Sequence, residues 1–71
     1  MKKSEIIEVV KKSYNEAKRN NEDWAGAVDS ALQKNGVLTA NQAEYDDYQD
    51  DGYTIVILAD GTHITTENIN N

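Results

Sequence analysis

The chain contains no cysteine and no proline, and His63 is its single imidazole. Without cysteine, disulfides and thiolate metal sites are excluded together. A lone histidine cannot build a zinc site, which needs cysteine or a second histidine beside it. No metal or other cofactor is therefore expected. The lack of cysteine fits a reducing cytoplasm, where the protein is expected. Long apolar runs are missing too: the stretch that begins at Ile6 is broken by Glu8 and Lys11, so neither an export segment nor a membrane span is expected. The absence of proline, beside four tyrosines and one tryptophan, argues for a folded domain and against a linker.

Basic residues are scarce after the first quarter of the chain. Residues 1–19 set six cations (Lys2, Lys3, Lys11, Lys12, Lys18, Arg19) against Glu5, Glu8 and Glu16, which is +3. Residues 20–71 set Lys34 alone against ten acids, which is −9, and the total is −6. A basic opening segment thus precedes an acidic remainder, and the two can attract each other in the fold. With 71 residues, one domain is expected, its last residues 68–71 frayed. A chain this short buries only about 60% of its unfolded surface, so packing, or packing with self-association, must hold it together.

The pattern predicts an α+β fold: an antiparallel helical hairpin plus a short third helix or ordered loop, packed on a C-terminal two-stranded β-hairpin. The first helix is expected from Glu5 to about Arg19, with Ser4 as N-cap and an apolar stripe through Ile6, Val10, Tyr14 and Ala17. In the second, Trp24, Ala27, Val28, Ala31 and Leu32 fall on one face, and Gly36 stands where a helix C-terminus favours glycine. Thr39-Ala40-Asn41-Gln42 reads as the capping box of a third helix reaching about Tyr48. Tyr53–Ala59 is rich in β-branched residues, and Asp60-Gly61 suits a two-residue turn into Thr62–Thr66. That turn places Leu58 opposite His63 and Ile57 opposite Ile64. The expected core is Ile6, Val10, Trp24, Val28, Leu32, Ile55, Ile57 and Ile64. Val56 and Leu58 fall on the second face of the ribbon, where a partner, Val37-Leu38 or the short third segment must cover them.

Catalytic constellations are not found. No cysteine nucleophile exists, His63 sits on a hairpin strand, and the paired carboxylates read as solvated surface, without the apolar pocket that would split their pKa values. The chain is expected not to be an enzyme. Nor does it carry a glycine-rich phosphate loop, and a second helix bearing Glu22, Asp23 and Asp29 would be repelled by a polyanion. Asp47–Gly52 superficially resembles a calcium loop, but the position of the bidentate acid falls on Leu58, leaving at most a weak site.

The most unusual stretch is Glu44-Tyr45-Asp46-Asp47-Tyr48-Gln49-Asp50-Asp51-Gly52-Tyr53, with five acids, three tyrosines and no base. Such a run can be plain solvated surface. It can also dock on a basic, nucleic-acid-binding protein, with Glu44, Asp46, Asp47, Asp50 and Asp51 taking places that phosphates would occupy and Tyr45 and Tyr48 as rigid anchors. In size, acidity and lack of catalytic parts the chain resembles the small phage and mobile-element inhibitors that mimic nucleic acid, such as anti-CRISPR proteins. The resemblance is one of kind and rests on no shared motif. The alternative is a structural or regulatory module that self-associates, as a homodimer, or binds a partner through its β-hairpin. Direct contact with nucleic acid or with a membrane is not expected.

Overall fold

Helix α1 spans Lys3–Arg19 and starts earlier than Ser4 would have it. Glu5 explains the shift: its carboxylate accepts the backbone N–H of Lys2 at 2.8 Å, so the third residue of the helix caps its N-terminus from inside. The computed structural model describes residues 1–40, 48–49 (backbone only) and 52–70. Helix α2 follows at Trp24–Lys34. Strands β1 (Tyr48–Gln49), β2 (Gly52–Ile57) and β3 (His63–Thr65) form an antiparallel sheet in that order, and α3 (Thr66–Asn70) closes the described chain. The fold is α+β, with two packed helices and a β-hairpin at the C-terminal end.

Both long helices end in the same way. After α1, Asn21 takes a left-handed φ of 57°, and the Glu22 N–H reaches back to the Ala17 carbonyl at 2.8 Å. After α2, Gly36 has φ 76°, and the Val37 N–H donates to the Leu32 carbonyl at 2.9 Å. This is the Schellman closure, in which a residue tolerant of positive φ lets the chain satisfy two orphan carbonyls. The second closure also turns Val37 onto the core beside Leu32. Trp24 departs from expectation. It lies at the margin of the core, edge-on to Tyr14 with ring centroids 5.2 Å apart, while the Lys18 ammonium stands over the Tyr14 ring.

The β-hairpin register is shifted by one residue from the two-residue turn. Leu58 N–H donates to the Thr62 carbonyl at 2.8 Å and Gly61 N–H to the Leu58 carbonyl at 2.9 Å, so the loop has three residues, Ala59-Asp60-Gly61. Asp60 decides the longer loop by accepting the Thr62 N–H through Oδ1 at 2.9 Å, and Gly61 supplies φ 91°. Val56 therefore pairs with Ile64 and Ile57 with His63. One extra residue, Ile55, is then inserted between Thr54 (opposite Thr65) and Val56. That bulge lets Thr54, Ile55 and Val56 all be buried in succession, which strict alternation forbids. Ile57, expected in the core, is only half-buried.

Val56 and Leu58 are not a vacant face. Residues Leu38–Ala40 lie along β2 on the side away from β3: Ala59 N–H donates to the Leu38 carbonyl at 3.0 Å and Ala40 N–H to the Ile57 carbonyl at 2.8 Å. Leu58 ends 6% exposed and Val56 1%, which removes the exposed ribbon that the self-association reading relied on. Of the segment from Ala40 to about Tyr48, expected as a short helix or ordered loop, the described ends are extended: Ala40 joins this pairing, and Tyr48 belongs to β1. Residues 41–47 between them lie outside the described ones. The Thr39 hydroxyl donates to Asp29 Oδ1 at 2.5 Å, tying this segment to α2.

The C-terminal segment, expected to fray, is folded as far as Asn70. Thr65 and Asn68 cap α3 reciprocally: Asn68 Oδ1 accepts the Thr65 N–H at 2.8 Å and the Thr65 hydroxyl at 3.0 Å. Ile69, 2% exposed, completes the core with Val10, Val28, Leu32, Ile55 and Ile64. Each of these burials contributes roughly 1.5–3 kcal/mol, which is substantial for so small a chain. Among the described residues, no helix is long and apolar enough to cross a membrane.

Candidate functional site

Of the residues singled out for partner binding, Glu44, Tyr45, Asp46, Asp47, Asp50 and Asp51 lie outside the described residues, and Tyr48 is described by its backbone alone. The fold nevertheless fixes points on either side of Glu44–Asp47: Ala40 before it is bonded to Ile57, and Tyr48 after it pairs with Tyr53, while Gln49 and Gly52, which pair with each other, flank Asp50 and Asp51. Both attachments are on the side of β2 away from β3, at Ile57 and Tyr53, about 13 Å apart along the strand. The chain is thus attached to β2 before Glu44 and again from Tyr48.

The second tether is built with care for backbone space. Gly52 pairs with Gln49 and holds φ 102°, where side chains are strained, and the Thr66 hydroxyl occupies the volume a β-carbon would need. The same hydroxyl accepts the Tyr53 N–H at 3.2 Å. Tyr53 is 56% exposed and follows Asp51 by two residues.

Other polar groups are used internally. The buried Thr54 hydroxyl meets His63 Nδ1 at 3.0 Å, so the imidazole faces a threonine and stands across from Ile57, not Leu58. Asp29 accepts from Thr39 and from Gln33 Nε2 at 3.0 Å. Asp60 is held below the usual carboxylate range by the Thr62 side chain, then by the Thr62 backbone N–H. Among the described residues, no three acidic or histidine side chains converge as a metal site would require. In the calcium-like frame of Asp47–Gly52, the place of the bidentate acid falls on Leu58, a core residue.

One concavity was not anticipated. The helical hairpin carries a groove of about 510 Å³ on the flank beside its core stripe, with Val9, Ser13 and Ala17 from α1 and Ala27, Ser30 and Ala31 from α2 along it. Small side chains at matching heights on two helices are the signal that could have revealed it, but read one helix at a time they look like weak core positions.

No family model matches the chain, and no curated protein or solved structure matches it.

Proposed function

We propose that the chain is a non-catalytic binding protein that docks on a basic, nucleic-acid-binding protein of the cytoplasm. Glu44, Asp46, Asp47, Asp50 and Asp51 form the docking surface, and Tyr45 and Tyr48 anchor it. The observation that carries this reading is where the charge lies. Outside residues 44–51, seven cations stand against eight acids, so that part of the molecule is near neutrality. The run itself adds five acids and no base, and accounts for nearly all of the net charge of −6.

A near-neutral body with one concentrated anionic segment presents a directed field and not a diffuse one. Such a segment attracts the surfaces that nucleic-acid-binding proteins offer to phosphates, and speeds encounter with them. An inhibitor that competes with nucleic acid for such a protein, as phage and mobile-element inhibitors do, is the form of the function that we favour.

The test is capture from a bacterial lysate at low and high salt, with wild type beside the Asp46→Asn/Asp47→Asn/Asp50→Asn/Asp51→Asn variant. Salt-sensitive capture of a nucleic-acid-binding protein by wild type alone is the expected result. The same captured set with both proteins would refute the proposal.

A further inference from the structure

We infer that the groove of the helical hairpin is a self-complementary surface that takes a second copy of this chain. This does not rest on the function proposed above, because it concerns a different face.

Much of the groove floor is apolar. Val9, Ala17, Ala27 and Ala31 are apolar. The Ser13 hydroxyl donates to the Val9 carbonyl at 2.8 Å, and the Asn35 amide donates to the Ala31 carbonyl at 2.8 Å. Ser13 and Asn35 thus each place a donor within their own helix, which lowers the cost of burying them under a neighbour. Small residues also let a second pair of helices approach closely.

The walls name the occupant. Lys12 stands in the middle of α1, and Lys34 closes α2, at the end of the groove away from the turn between the helices. Glu16 lies one turn beyond Lys12, and Glu22 sits in the turn between the helices. The groove is therefore cationic toward one end and anionic toward the other, and Ser13, Ser30 and Ala31 lie between. A partner of one charge sign is repelled at one end. A second copy turned about a two-fold axis through the Ser13 and Ser30 level sets Lys12 and Lys34 of each protomer over Glu16 and Glu22 of the other. The isologous pairing repeats every contact twice, and the inverted orientation alone avoids like charges facing one another.

Sedimentation equilibrium of the full chain tests this at low salt, up to about 0.5 mM protein, a range that detects weak dimers. Wild type is expected to rise from its monomer mass of 7.9 kDa toward twice that value. Lys12→Glu/Lys34→Glu and Glu16→Lys/Glu22→Lys should each raise the dimer dissociation constant by about tenfold or more. An equimolar mixture of the two variants should restore association as a heterodimer. Lys12, Glu16, Glu22 and Lys34 are all exposed, so the variants should fold, which circular dichroism checks. Wild type at 7.9 kDa throughout, a dimer indifferent to both charge changes, or a mixture that stays monomeric overturns the inference.

Discussion

The Thr66 hydroxyl fills the space that a β-carbon on Gly52 would occupy, and so packs the start of β2 against the start of α3. Gly52→Ala must therefore move Thr66 and also adopt a φ of 102° that alanine resists. The expected cost is about 2–3 kcal/mol, from strain and lost contact together. For a domain of this size that lowers the melting temperature by roughly 10–20 °C. Hydrogen exchange at the Tyr53 amide, bonded to Thr66, should accelerate at the same time. A variant as stable as wild type would contradict the geometry.

Leu58 separates a core role from an interface role. At 6% exposure it lies within the core cluster, so Leu58→Ala should cost about 2–4 kcal/mol. Leu58→Asp, which buries an unpaired charge, should abolish the far-ultraviolet signal of a folded chain. A Leu58→Asp protein that stays folded and merely changes its mass would return Leu58 to a subunit interface.

Why these residues were misplaced by sequence reasoning is physical. The 3.6-residue period of Trp24, Val28 and Leu32 needs no tertiary information, and neither does Gly36 at a helix end; α2 was legible from them. The strand β2 was equally plain in its β-branched residues. Its register was not, because the carboxylate of Asp60 chose between a two- and a three-residue loop, and a single residue of slip exchanges Ile57 for Val56 in the core. The bulge at Ile55 compounds this, since alternation fails wherever an extra residue is inserted. α3 was missed because five polar-rich residues carry almost no helical signal; only the Thr65–Asn68 cap and the burial of Ile69 make it a helix. The acidic run stood out by composition alone, whereas the groove exists only once α1 and α2 are side by side.

Ile69 gives the C-terminal segment a measurable weight. Ile69→Ala should destabilise the protein by about 2–4 kcal/mol, since it empties a site packed on the main core. Chemical denaturation with unchanged slope would report it. A change under about 0.5 kcal/mol, the size of an ordinary surface substitution, would mean that the segment does not dock.

Asp60 sets an acid dependence. Its folded pKa is depressed, first by the Thr62 side chain and then by the Thr62 backbone N–H. A depressed carboxylate contributes stability above its unfolded value, and that contribution is lost as pH falls through the folded value. NMR titration of the folded protein should place the Asp60 midpoint below that of an unstructured aspartate, and Asp60→Asn should flatten this part of the acid limb. A midpoint at or above the ordinary value would contradict the loop geometry.

The claim that the acidic run occupies a nucleic-acid site is tested most directly by competition. Partner protein captured on the immobilised chain is washed with increasing concentrations of a duplex DNA, a duplex RNA and a neutral polymer of similar size. Release by one of the nucleic acids, with none by the neutral polymer, is the result this account predicts. A partner that binds the nucleic acid while still held on the chain would show that the two occupy separate sites, and would contradict it.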